Sequence, residues 1–155
     1  MNSDFIIENL DLSFVREKTT LYRDKESTNE FRHAELEFKK YLKLIRLSNG
    51  PLAIPSSRVD DIWHAFILFT PQYRKFCKKV YGHYIEHQPN TDTTPVPLSA
   101  LSNFYSEYEQ IFGKPDSIWT EDFNYETALM LKRAEIPENF SNEYRWSGWP
   151  GKTWK

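Results

Sequence analysis

Cysteine, glycine and long apolar runs are all scarce in this 155-residue chain. One cysteine, Cys77, excludes an internal disulfide, and its thiol fits a reducing compartment. With 5 glycines there is no glycine-rich phosphate loop, and neither a G-x-S-x-G elbow nor a paired-carboxylate motif occurs. No window approaches the roughly 18 apolar residues of a membrane span. The start, MNSDFIIENLDL, carries acids and no apolar stretch, so it does not read as a signal peptide. A formal charge of −2 gives no support for general binding to nucleic acid or to a membrane surface. The expected location is the cytoplasm, or another cell into which the protein is delivered without a readable signal.

Aromatic residues are plentiful: 5 Trp, 9 Tyr and 11 Phe. Rings fill volume with few residues, so the low mean hydropathy does not imply disorder. The length suits one domain with a real core. Strand signals are poor throughout and helical periodicity is strong. The expected fold is therefore mainly α, a single-domain helical bundle with a central helical hairpin and an irregular aromatic C-terminal tail.

Three regions are expected: an N-terminal arm over 1–26, a helical core over 27–135, and a tail over 136–155. In the arm, Phe5, Ile6, Ile7, Leu10, Leu12, Phe14 and Val15 suit a short helix or an extended strap, and the charges from Arg16 to Glu26 read as a solvated connector. Ser27 and Glu30 have capping-box spacing. Phe31, Ala34, Phe38, Leu42 and Ile45 then recur on one helical face, and Asn49-Gly50-Pro51 stops that helix. His33 reads as a rim histidine.

Ser56 or Ser57 caps the next helix, whose apolar face is Val59, Ile62, Trp63, Phe66 and Ile67. Thr70-Pro71 restarts the chain as a third helix bearing Tyr73, Phe76, Cys77 and Val80, and Gly82 loosens or ends it. Residues 88–98 read as a loop rich in Pro and Thr. A further helix follows with apolar residues Leu101, Phe104, Tyr105, Tyr108, Ile111 and Phe112, and Gly113 at its end. Ile118-Trp119 docks back on the core, and a short helix is expected over about 124–134. The tail EYRWSGWPGKTWK packs its indoles or shows them to a partner.

The chemistry gathers between Val59 and Pro89. Imidazole, thiolate and carboxylate donors together suit Zn²⁺ or a neighbouring transition metal. Counted outward from the Thr70-Pro71 turn, His64 and Cys77 fall at similar heights on antiparallel helices. A break at Gly82 would return His87 toward them. Asp60, one turn before His64, is a fourth ligand or orients the imidazole. The expected metal set is therefore His64, Cys77, His87 and Asp60. A structural reading stands beside it: Cys77 as a small core residue, Asp60 favouring the helix dipole, His64 hydrogen-bonded, and His87 as a cap. A third reading pairs Cys77 as nucleophile with His64 or His87 as base, although a mid-helix thiol lacks the field that lowers its pKa. Whether the protein is an enzyme is open. The other functional class is a non-enzymatic interaction module, an effector or adaptor, that contacts a protein partner through the Trp-rich tail or the 88–98 loop.

The run VDDIWHAFILFTPQYRKFCKKVYGHYIEHQP resembles the glycine-rich domain-containing protein-like family, in its short bacterial-type members. The pattern is D-x-x-W-H, Y-x-x-x-C, G and H-x-P. It falls on Asp60, Trp63, His64, Tyr73, Cys77, Gly82, His87 and Pro89, with weaker likeness at Phe104-Tyr105 and Phe112-Gly113. The resemblance implies a mostly helical domain without an established reaction. It adds weight to roles for Asp60, His64, Cys77 and His87. The glycine-rich tail of the longer plant members is absent, so their association with RNA and development is not carried over.

Overall fold

The computed structural model describes residues 2–88 and 96–122, and the fold is mainly α. Among the described residues there are five α-helices: α1 (Ser3–Glu8), α2 (Thr28–Leu47), α3 (Ser57–Leu68), α4 (Thr70–Tyr81) and α5 (Leu98–Phe112). Three 3₁₀ turns, Ser13–Lys18, Lys25–Ser27 and Ser117–Trp119, complete the regular structure. The helix expected over 124–134, the Trp-rich tail and most of the 88–98 loop lie outside the described residues. The chain clusters into two compact units, one of residues 1–47 and 56–84, the other of residues 48–55 and 85–155.

The first unit is built on α2, α3 and α4. The face predicted for α2 is the buried one: Phe31, Ala34, Phe38, Tyr41, Leu42 and Ile45 all point inward. Its start differs from the expected capping box. A 3₁₀ turn precedes it, and the Ser27 hydroxyl donates back to the Asp24 carbonyl at 2.6 Å. Ser56 caps α3, its Oγ accepting from the Val59 amide at 3.2 Å. Pro71 sits in the first turn of α4, where it forfeits no helical hydrogen bond. Gly82 closes α4 with φ +80°, a left-handed conformation that a Cβ would strain, and its amide returns to the Lys78 carbonyl at 3.1 Å.

Aromatic rings fill the space between these helices. Trp63 packs on Tyr41 at 5.5 Å and on Phe38 at 6.1 Å between centroids. Phe66 meets Tyr73 edge-on at 5.1 Å and Phe76 at 5.6 Å. Fully burying one such side chain stabilises the fold by about 1.5–3 kcal/mol. The N-terminal arm belongs to this core. Ile7, Leu12 and Val15 are buried, and Phe14 stacks edge-on with Phe69 at 5.0 Å. The 16–26 stretch is more than a solvated connector. Thr19 and Tyr22 are buried, and Arg16 Nε donates to the Tyr22 carbonyl at 2.8 Å.

The second unit gathers around α5, which buries Leu101, Phe104, Tyr105 and Tyr108 as expected, while Ile111 in its last turn is exposed and Phe112 only half-buried. Segment 48–55 is tied to it by the Ala53 amide donating to the Ala100 carbonyl at 3.0 Å, and by Asn103 Nδ2 donating to the Pro51 carbonyl at 2.8 Å. Trp119 docks as predicted, 4.7 Å from Phe104 between centroids, while the Tyr105 hydroxyl donates to the Trp119 carbonyl. Asp116 starts this last 3₁₀ turn by accepting from the Ile118 amide at 2.9 Å.

Candidate metal centre

Two adjacent aspartates open α3, and the fold uses them differently. The Asp61 carboxylate accepts from the Thr20 amide at 2.8 and 3.0 Å and from the Leu21 amide at 2.9 Å. That carboxylate clamps the N-terminal arm. Asp60 lies 100° further round the helix. Its Oδ2 stands 3.5 Å from His64 Nε2, one helical turn on. The His64 side chain is 45% exposed and that of Asp60 25%. The pair therefore lies at the rim of the first unit, where an ion could reach it from water.

Trp63 and His64 are neighbours with opposite tasks. The Trp63 indole turns inward and donates to the buried Tyr73 hydroxyl at 3.0 Å. His64, 100° away, turns out. Burial of Tyr73 holds its phenol well above the ordinary tyrosine range, with the Cys77 thiol beside it adding to the effect, while the Trp63 hydrogen bond pulls the other way. Tyr41, fully buried against Trp63, is pushed up by burial first and by the Asp60 charge second.

Cys77 occupies the middle of α4 with 0% exposure, hydrogen-bonded to Tyr73. Among the described residues its sulfur joins no set of three or more ligand-type atoms lying within 4.8 Å of one another. A thiol sealed in the core also lacks the access that a nucleophile needs. His87 lies beyond Gly82 in the second unit, half-buried in irregular chain. Of the four residues expected as ligands, the first unit thus brings together Asp60 and His64.

One pair was not among the expected ligands. His33 and Glu37, one turn apart on α2, offer ligand atoms within 4.8 Å of each other. Glu37 is buried and holds Lys40 Nζ at 2.7 Å. Only the i, i+4 spacing of His33 and Glu37 could have signalled this pair in the sequence, and the lysine already answers the carboxylate's charge.

The Asp60–His64 geometry can be tested against coordination chemistry. Two ligands at about 2.0–2.1 Å from a tetrahedral Zn²⁺ stand roughly 3.3–3.4 Å apart. The observed 3.5 Å is compatible with two ligands of one ion. As a bare surface ion pair, the same geometry would stabilise the helix by only about 0.3–0.5 kcal/mol.

A family model described as UCP032817-like matches residues 4–96, more than half of the chain. That description names no activity, metal or substrate. No curated protein matches the chain, and no solved structure does. Among the described residues no helix is long and apolar enough to cross a membrane.

Proposed function

The chain belongs to the UCP032817-like family, and from the geometry of α3 we propose that it is a metal-binding helical protein whose site is anchored there by Asp60 and His64. The observation that carries the reading is the 3.5 Å approach of a carboxylate oxygen to an imidazole nitrogen at an accessible rim. Mixed N and O donors favour Zn²⁺ or a neighbouring transition metal over Ca²⁺ or Mg²⁺, which prefer oxygen alone. Asp60 either binds the ion or holds the imidazole for it. Two ligands from one helix leave coordination positions for other donors. Of the other two residues expected as ligands from their donor atoms and helix spacing, His87 is tested by its alanine variant, whereas Cys77 is sealed in the core. If one position stays with water, the ion would lower that water's pKa and make hydrolytic chemistry accessible.

The test is metal content by elemental mass spectrometry on protein purified without a histidine tag. About one equivalent of metal per chain is expected, with its loss in His64→Ala and in Asp60→Ala. A wild-type chain that takes up no zinc or cobalt after reconstitution under reducing conditions overturns the reading. Retention of metal by His64→Ala overturns the assignment of the site.

A further inference from the structure

From Arg74 to Lys79 every exposed residue of α4 is basic. Tyr73, Phe76, Cys77 and Val80 are buried, and Arg74, Lys75, Lys78 and Lys79 are exposed. At 100° per residue the four cations span about 140° of arc, centred roughly opposite the middle of the buried face. The helix TPQYRKFCKKVY contains no acidic residue that could temper them. Among the described residues, none of the four cations forms an ion pair or a side-chain hydrogen bond.

Four of the five basic residues of α2 are treated differently. There Lys39 meets Glu35, Lys40 meets Glu37, Lys43 meets Glu8 and Arg46 meets Asp4. Asp61 is occupied by two backbone amides and Asp60 by His64. Among the described residues, unit 1 thus pairs most of the cations of α2 and none of Arg74, Lys75, Lys78 and Lys79.

We propose that the exposed face of α4 docks an acidic helical segment of a partner protein. Arg74 and Lys78 form one row, Lys75 and Lys79 a second, each with one-turn spacing. Glutamates at i and i+4 on a facing helix match such rows, about 6 Å apart. A membrane fits less well. The apolar face of α4 is spent on the core, so the helix has nothing to insert, and interfacial helices bind through a buried apolar face as much as through charge. A duplex fits less well too, because the chain as a whole carries −2 and would be repelled at long range. A short basic strip on a near-neutral body selects a local acidic patch.

The probe is a fluorescein-labelled, alanine-based helical peptide carrying two rows of glutamate at i, i+4. Binding is followed by anisotropy on the full chain. We expect saturable binding that weakens with added salt. Reversal in R74E/K75E/K78E/K79E should weaken it by about tenfold or more, with helical circular dichroism unchanged. The neutral variant R74Q/K78Q gives an intermediate loss and serves if the full reversal fails to fold. K18E/K25E, which alters exposed charges elsewhere in the unit, should bind as wild type. No saturable binding up to about 1 mM peptide, equal loss in K18E/K25E, or tighter binding to phosphatidylserine-containing vesicles or to duplex DNA would each overturn the proposal.

Discussion

Trp63 donates its indole hydrogen to the Tyr73 hydroxyl, and this one buried bond of 3.0 Å ties α3 to α4. Both residues are almost wholly inaccessible. Asp60 and His64, on the same helix α3, lie at the accessible rim instead. Tyr73→Phe removes the acceptor while keeping the ring. Such a loss in a buried setting costs about 1–3 kcal/mol. Urea unfolding followed by tryptophan fluorescence should show it, with Trp63→Phe in a double-mutant cycle isolating the shared part. Strict additivity of the two substitutions would deny the bond its role.

Alkaline pH should unfold the first unit before its helices are otherwise stressed. Tyr41 and Tyr73 are held above the ordinary tyrosine range chiefly by burial, and Tyr81 likewise, with Cys77 and Tyr41 adding to the effect and Arg46 opposing it. In the unfolded chain these phenols ionise near pH 10. The folded state keeps their protons to higher pH, so above pH 10 it binds more protons than the unfolded state. Stability contributed by the neutral phenols is therefore complete below about pH 10 and falls as pH rises. The slope reaches about 1.4 kcal/mol per pH unit for each tyrosine. Thermal melts from pH 8 to about 12 should show a steep drop in melting temperature, shallower in Tyr73→Phe. A flat profile over that range would contradict the burial argument.

Much of this was legible in the sequence where a single element decides its own fate. The apolar rows of α2, α3 and, as far as Tyr108, α5 became the buried faces, Ser56 became the cap and Gly82 the stop. What the sequence concealed lies in azimuth and in long-range pairing. Counting from Thr70-Pro71 put His64 and Cys77 at one height, but height says nothing about rotation. Trp63 takes the direction toward Tyr73, which leaves His64, 100° on, facing solvent while Cys77 faces the core. The arm was opaque for a different reason. Tyr22 is buried because Arg16 and Asp61, 6 and 39 positions away, fix the backbone around it, and no local periodicity records that.

The two aspartates of α3 should separate cleanly on mutation. Asp61→Ala strands the Thr20 and Leu21 amides that its carboxylate now accepts from. Water replaces part of this, so the expected cost is about 1–2 kcal/mol. Amide hydrogen exchange should quicken over residues 19–22 while α2 stays protected. Asp60→Ala, at the rim, should move stability by less than about 0.5 kcal/mol. Equal destabilisation by the two would mean that Asp60 also anchors the arm.

Metal and stability should be linked through that same rim pair. An ion bound only by the folded chain stabilises it by RT ln(1 + [L]/Kd), about 2.7 kcal/mol at a hundredfold excess over Kd. Zinc added to apoprotein should therefore raise the wild-type melting temperature, and chelator should lower it again. The effect must also depend on pH, because His64 binds an ion only when its imidazole is neutral. The shift should shrink as pH falls, because protons compete with the ion for the ligand nitrogen. In His64→Ala the zinc shift should vanish while the melting temperature without metal stays near that of the wild type, since the side chain is 45% exposed and supports no part of the core. A zinc shift that survived His64→Ala at full size would place the ion elsewhere in the chain.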